Sequence, residues 1–256
     1  YSNFIFFFFF SKFKRFSGNI NLGLDLDVTD KATISFGNVV TGNGGPRDEI
    51  NYTNFYDSDE LYYGGFARTS DGNRKSYNNN STFNYAQKFK NKGQLLNVSA
   101  NFVIGKSLND KDYMQLNYDE DEYPIELIPQ QEFNSSIEKN IESSIQADYT
   151  HPFKKHGELE AGIKLTYREF YSDFYADSLD RSIQETIYNA DLSNTFLYNE
   201  IVNAAYVTFG GKVKDFTYKL GVRTEQTNIA IENNRVANKF KNNYIDFFPS
   251  LFLTQK

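Results

Sequence analysis

The stretch Glu158-Leu159-Glu160-Ala161-Gly162-Ile163-Lys164-Leu165-Thr166-Tyr167-Arg168 decides the fold. Leu159, Ala161, Ile163, Leu165 and Tyr167 alternate with charged, small or hydroxyl residues. A period of two places one set on each face of a β-strand. The pattern recurs at Phe216, Tyr218, Leu220 and Val222, set against Thr217, Lys219, Gly221, Arg223 and Glu225. Strands of soluble sandwiches average ~5–6 residues. Alternating segments here run to roughly 10–18 residues. Length, one apolar face and one charged face together suit a closed barrel with lipid outside and a wet lumen.

Working outward, nine strands are expected. They lie near 18–27, 32–42 and 78–89, around Leu96–Ile104 and Ile141–Tyr149, at 158–175, 196–210 and 216–231, and from Tyr244 onward. The links between them alternate short and long. Val28–Lys31, Lys90–Gly93, His151–Gly157 and Gly211–Asp215 are short turns, whereas 43–77, 106–136, 176–195 and 232–243 are long polar stretches. Gly, Asn, Asp and Pro punctuate these links. No segment sustains the 3.6-residue period with caps that a helix needs. Short turns at one end and long loops at the other are the mark of outer-membrane barrels, with the turns periplasmic and the loops outside. The expected fold is therefore all-β, an antiparallel up-and-down transmembrane β-barrel.

Single-chain bacterial barrels have even strand numbers, and an open sheet edge in lipid is not tolerated. The chain is accordingly expected as a partial barrel of about nine strands, with residues 17–256 forming part of the wall. Residues 1–16 are a separate, uncertain Phe-rich start. Phe4 to Phe10 is almost pure Phe, followed by Lys12, Lys14 and Arg15. It is too short to span as a helix, and the charge follows the apolar run, opposite to a signal peptide. A fragment end or an artefact is the favoured reading, and a lipid-facing strand the other.

Composition narrows the function classes. Mean hydropathy is -0.60, which a barrel permits because its strands hide the lipid face in alternation. Aromatic residues make up 17 % of the 256, with 25 Phe, 19 Tyr and no Trp. Tyr suits membrane interfaces, where the ring stays apolar and the hydroxyl wet. The absence of Cys excludes a disulfide framework and thiolate metal sites. A net charge of -6 offers no basic footprint for nucleic acid.

No constellation points to catalysis. His151 and His156 share a turn, but a metal centre wants further ligands in a defined geometry, so a solvated turn is expected. There is no phosphate loop between strand and helix and no nucleophile elbow. No catalytic residue, metal site or cofactor is expected. Asp119 and Asp121 lie in the acidic run Asp119-Glu120-Asp121-Glu122. They are candidate hard-oxygen ligands, although such runs are more often hydrated loop tips. Tyr62, Tyr63 and Phe66 are candidates for stacking on a ligand, against the alternative of packing their own loop. Glu160, Lys164, Arg168, Lys219, Arg223 and Glu225 fall on the polar faces of their strands. They are candidate lumen residues that either contact substrate or pair with each other across strands.

Several stretches resemble the outer-membrane β-barrel family of Bacteroidota type, the barrel region of TonB-dependent receptors. They are Ala147-Asp148-Tyr149-Thr150-His151-Pro152-Phe153, Leu159-Glu160-Ala161-Gly162-Ile163-Lys164, Asn199-Glu200-Ile201-Val202-Asn203-Ala204-Ala205-Tyr206-Val207, Gly221-Val222-Arg223-Thr224-Glu225-Gln226-Thr227 and Phe247-Phe248-Pro249-Ser250-Leu251. The resemblance covers roughly 17–256 and is strongest from 137 onward. It implies a barrel of about 22 strands around an N-terminal plug, with a short box that contacts TonB ahead of the plug. No plug is visible here. The implied partners are outer-membrane lipid, TonB with its inner-membrane energising complex, and a small-molecule or oligomeric substrate, in a Gram-negative outer membrane. The substrate classes are siderophore, cobalamin, glycan or peptide. The rival readings are a passive porin or adhesin-type barrel and a soluble extracellular glycan-binding β protein.

Overall fold

The computed structural model describes residues 4–153, 157–235 and 239–255. All strands join one antiparallel sheet. They are β1 (Phe4–Phe13), β2 (Phe16–Thr29), β3 (Ala32–Tyr56), β4 (Tyr62–Lys88), β5 (Leu95–Tyr118), β6 (Gln130–Phe153), β7 (Gly157–Asp180), β8 (Glu185–Tyr188), β9 (Asn194–Val213), β10 (Phe216–Asn233) and β11 (Phe240–Gln255). Each long strand pairs with its neighbours in chain order, so the sheet is a meander. Its edges, β1 with β2 on one side and β11 on the other, are not joined.

The eleven strands among the described residues fill nine positions across the wall, in line with the expectation of about nine. β1 and β2 lie end to end along one edge of β3, opposite Arg47–Tyr56 and Ala32–Gly44 respectively. Their joint falls beside Pro46, which has no N–H for a ladder. There the Lys14 N–H donates to the Pro46 carbonyl at 3.1 Å. Gly45 faces the joint at φ 146°, and a Cβ there would overlap the Lys14 carbonyl. β8 is a four-residue arm beside the far end of β7.

Three of the four long links are corrected. Residues 43–77, expected as a loop, continue as ladder to Tyr56 and resume at Tyr62, leaving 57–61 as the tip. Residues 106–136 are strand to Tyr118 and again from Gln130. Residues 176–195 lose both ends to β7 and β9 and gain β8. The sequence hides these extensions because both faces are polar there. Past the membrane water lies on either side, and nothing enforces alternation.

The register sorts side chains into two faces. One carries Leu22, Leu24 and Leu26, then Ile34 and Phe36, Phe83 and Tyr85, and Val98, Ala100 and Phe102. It continues through Ile145 and Ala147, Ile163 and Leu165, Ala205 and Val207, Leu220 and Val222, to Leu251 and Leu253. Most of these are exposed, Ile163 to 64 % and Leu253 to 68 %, and the rest half-buried, while among the described residues the buried apolar ones are Ala32, Ala176 and Ala204. A soluble domain hides such residues in a core and rarely shows a wide apolar patch. This sheet instead turns them outward, as a wall facing hydrocarbon does.

The band has two visible margins. Along β7 it runs from Leu159 to Tyr167, nine residues, matching the ~9–11 of a membrane-crossing strand. At the far margin the Tyr167 hydroxyl donates to Glu169 Oε2 at 2.6 Å. At the short-turn margin aromatic rings form a chain across strands. Phe89 meets Tyr149 at 6.1 Å, His151 meets Phe153 at 4.8 Å, Phe153 meets Phe209 at 6.3 Å and Phe209 meets Tyr218 at 6.2 Å. A belt of this kind is what barrels place at the headgroup level, with apolar rings and wet polar ends. Its hydroxyls do find partners, since Gln94 Nε2 donates to Tyr149 Oη at 2.6 Å. His151 thus belongs to the belt, while His156, with Lys154 and Lys155, lies outside the described residues.

Ile163→Arg is expected to destabilise the protein in bilayers by ~2–4 kcal/mol, the cost of a cation near the lipid midplane. Urea unfolding in vesicles measures it, and an unchanged midpoint would refute the face assignment. The topology predicts that single cysteines at Ser58→Cys and Asn91→Cys react with an impermeant maleimide from opposite sides of the membrane. Labelling of both from one side would refute it.

Candidate functional site

The polar face of the sheet holds the candidate residues, and the ladder decides which of them meet. Arg168 stands between Glu142 of β6 and Glu200 of β9. Its Nη1 donates to Glu200 Oε2 at 2.7 Å, and its Nε lies 3.6 Å from Glu142 Oε1. Glu160 accepts from Thr208 Oγ1 at 3.0 Å and from Lys219 Nζ at 2.7 Å, tying β7, β9 and β10 together. Arg223 Nε pairs with Glu225 Oε1 at 2.5 Å along its own strand. Lys164 has no carboxylate within 4 Å among the described residues. Exposed ion pairs contribute ~0–1 kcal/mol each. Their consequence here is geometric: charges sit at fixed places on a wet wall.

A second arrangement was not foreseen. The Tyr206 ring crosses Gly162, and its hydroxyl donates to Asp148 Oδ1 at 2.7 Å, while Gln146 Nε2 donates to Asp148 Oδ2 at 2.7 Å. A Cβ on Gly162 would overlap both Asp148 Oδ1 and the Tyr206 ring. The glycine is the slot that lets a side chain on β9 reach one on β6. The sequence shows each residue but not that they converge, because convergence needs the register of three strands.

The richest polar cluster lies farther from the apolar band, within the two segments expected as loops. Glu49 of β3 is held by Arg47, whose Nε is 2.5 Å away, by Lys111 of β5, and by Ser70 Oγ at 3.3 Å. Arg68 reaches Glu132 Oε2 at 3.1 Å and stands over the Tyr113 ring at 4.3 Å, with Lys111 Nζ 5.0 Å from the same ring. Beside them opens a polar cavity of about 300 Å³, lined among others by Arg47, Gly72, Arg74, Ser107, Lys111 and Tyr113. Arg74 Nε donates to Ser107 Oγ at 3.3 Å, and no carboxylate among the described residues pairs with it.

The tips place the remaining candidates. Tyr62, Tyr63 and Phe66 are strand residues that pack with Phe55 and Tyr56. Centroid distances are 5.8 Å for Tyr56–Tyr62, 6.0 Å for Phe55–Tyr63 and 6.1 Å for Phe55–Phe66. Asp119 spends its carboxylate on its own turn: Oδ1 accepts the N–H groups of Asp121 at 3.1 Å and Tyr123 at 2.8 Å. The β3–β4 tip repeats this device, with Asp57 Oδ1 accepting from Asp59 and Leu61, both at 2.9 Å. In each tip a glutamate four residues into the turn, Glu60 or Glu122, takes a left-handed backbone near φ 60°. Asp-x-Asp-Glu is therefore a turn signature here, a use of short acidic side chains with a clear mechanism. Among the described residues no three His, Asp or Glu groups are arranged to hold a metal ion. Beyond Asp119, Glu126 receives Asn117 Nδ2 at 3.2 Å and Arg181 at 3.3 Å. Burial raises its pKa, but these bonds outweigh that and leave it below the usual carboxylate range.

An exposed apolar band, an aromatic margin and a polar opposite face define a section of outer-membrane barrel wall. Residues 87–256, more than half the chain, match the outer membrane protein beta-barrel family, and the chain belongs to that family. Its place is the outer membrane of a Gram-negative bacterium. Among solved structures it is similar to the ferric citrate transporter FecA in the unliganded form, at 8 % identity and a TM-score of 0.37, over 95 % of this chain and 42 % of that one. It is also similar to BauA, the ferric preacinetobactin receptor from Acinetobacter baumannii, at 6 % identity and a TM-score of 0.44, over 97 % and 44 %. The chain thus spans less than half the length of these structures. No curated protein matches it.

Gly162→Ala is expected to destabilise by about 1–3 kcal/mol, the usual cost of forcing a methyl into filled space. Tyr206→Phe removes the half-buried bond to Asp148, at about 0.5–1.5 kcal/mol. The double variant should lose less than the sum of the two, because a ring without its hydroxyl can swing off the new methyl. Strict additivity in a double-mutant cycle would refute the slot.

Proposed function

We propose that this chain is the barrel wall of a TonB-dependent transport receptor that takes up a scarce substrate across the outer membrane. In this reading the polar face lines the lumen, and Glu160, Lys164, Arg168, Lys219, Arg223 and Glu225 are part of that lining. Substrate is a siderophore, cobalamin, a glycan or a peptide. It binds at the outer end, and TonB, driven by the inner-membrane complex, acts on a plug to open the way. The wall performs no covalent chemistry.

The observation that carries this reading is the polar cavity beyond the apolar band. A plain sieve needs only a polar lining. Here three strands instead concentrate Arg47, Arg74, Lys111 and Tyr113 around Gly72, with Arg74 uncommitted to any carboxylate among the described residues. Arg47 and Lys111 are held by Glu49, and Glu138 also lines the cavity, so Arg74 is the group left to make a charge-assisted hydrogen bond, worth ~1.5–3 kcal/mol, to an acceptor on the substrate.

Uptake measured across a panel of ferric siderophores, cobalamin, glycans and peptides should show one substrate class that enters only when TonB is present. Arg74→Ala should weaken its half-saturation roughly tenfold without altering heat-modifiable migration on gels. Uptake that is linear in concentration and indifferent to TonB would overturn the proposal and favour a passive pore.

A further inference from the structure

On the outward face, the first charged residue beyond the apolar band is a lysine on each of three successive strands. On β5 the band runs Leu96, Val98, Ala100, Phe102, Ile104 and then meets Lys106. On β6 the opposing run Tyr149, Ala147, Ile145, Ser143, Ile141 ends at Lys139. On β4 the outward residues are Tyr85, Phe83, the polar pair Ser81 and Asn79, which accept from Asn38 Nδ2, then Tyr77 and Lys75. Lys106 and Lys139 are direct cross-strand partners. Directly opposed residues hold their Cβ atoms ~4.5–5.5 Å apart, and like charges so placed repel.

All three lysines are exposed, and none has a carboxylate within 4 Å among the described residues. Three outward-facing carboxylates accept hydrogen bonds, while Asp48, Asp71 and Asp112 stand opposite one another farther along β3, β4 and β5. Asp110 accepts from Ser135 at 2.8 Å, Glu169 from Tyr167 at 2.6 Å and Asp173 from Thr195 at 2.8 Å. Two tyrosines frame the row: Tyr77 is opposite Lys106, and the Tyr171 ring lies 5.4 Å from Lys139 Nζ. Such rings sit at the headgroup level of a membrane. A repulsive lysine pair at that level is stabilised by an anion between its members.

We propose that Lys75, Lys106 and Lys139 bind the phosphate groups of an anionic lipid in the outer leaflet, whose acyl chains lie along the apolar band of β4–β6. The lipid, not free phosphate, is the occupant because the opposed pair Lys106 and Lys139 stands directly beyond the apolar residues of β5 and β6. The chemistry is that of a phosphorylated glycolipid: two or more phosphates on a head group above several chains. This inference rests on the apolar face meeting lipid. It does not depend on TonB-driven uptake, so either can fail alone.

The test uses the protein extracted from outer membranes and stripped of lipid in detergent. Native mass spectrometry then follows binding of lipid A with both phosphates, of dephosphorylated lipid A, and of inorganic phosphate. At about 1 kcal/mol per lysine near an anionic surface, the variant Lys75→Gln/Lys106→Gln/Lys139→Gln should bind phosphorylated lipid A about a hundredfold more weakly. The corresponding triple arginine variant should retain binding, and heat-modifiable migration reports whether each variant folds. If the glutamine variant fails to fold, the comparison of head groups on the unaltered protein still decides. Equal binding of phosphorylated and dephosphorylated lipid A would overturn the proposal. So would inorganic phosphate binding as tightly as the lipid, which would make this a free-anion site.

Discussion

The rest of this structure depends on the backbone hydrogen bond between neighbouring strands. In hydrocarbon no water can satisfy an N–H or C=O, and each orphan costs several kcal/mol. The chain meets that demand laterally, through uninterrupted ladders such as the pairing of Glu132–Phe153 with Gly157–Ser178. Everything else is subordinate to the ladder. It fixes which residues oppose each other, and so which side chains share a face. It also removes the need for an internal core, which is why only three small apolar residues among those described are buried while large ones stand exposed. The solvent that a core would normally exclude is here replaced, on one face, by lipid.

Because pairing is lateral, polar contacts are lateral too, and they reach farther than one strand. Arg168 joins three strands, Glu160 joins three, and Tyr206 crosses an intervening glycine to reach Asp148. Each device needs a small or absent side chain, or a long reaching one, at the middle position. The alternation of bulky and small residues along the polar face is thus a record of which neighbours reach across. It also spaces the charges along that face, with Arg168 set against Glu200 on the next strand and Lys219 against Glu160 two strands away.

What was legible in the sequence follows from where the environment is asymmetric. Between Leu159 and Tyr167 lipid lies on one side and water on the other, and the period of two is plain. The same asymmetry marks Phe216–Glu225 and the short turns at Asp30, Gly93 and Asp215. Past the band both faces meet water, and residues 43–56, 62–77, 106–118 and 130–136 show no alternation although they are strand. The cluster of Arg47, Glu49, Arg68, Arg74, Lys111 and Tyr113 was hidden for that reason. The opposite failure occurs at Phe4–Phe13, where apolar residues fill both faces and again leave no period. Register was the other missing quantity. Glu142, Glu200, Asp148 and Tyr206 carry no signal singly and acquire meaning only once their partners are set.

The belt at the short-turn margin is built without Trp. A headgroup belt needs rings that are apolar in the body and polar at one end, in lateral contact with one another. Phe89, Tyr149, His151, Phe153, Phe209 and Tyr218 supply this in relay: phenyl rings fill the gaps, and Tyr149 reaches Gln94. The function that Trp combines in one side chain is divided here between Phe for area and Tyr for the polar end. Such a belt opposes movement of the wall along the membrane normal in either direction: inward shift buries tyrosine hydroxyls and the turn charges beyond them, and outward shift strands phenyl rings in water. At the other margin Tyr167, Tyr171 and the lysine row resist in the same two senses. The height of the polar cavity above the lipid is therefore set by two rows of side chains that never touch it.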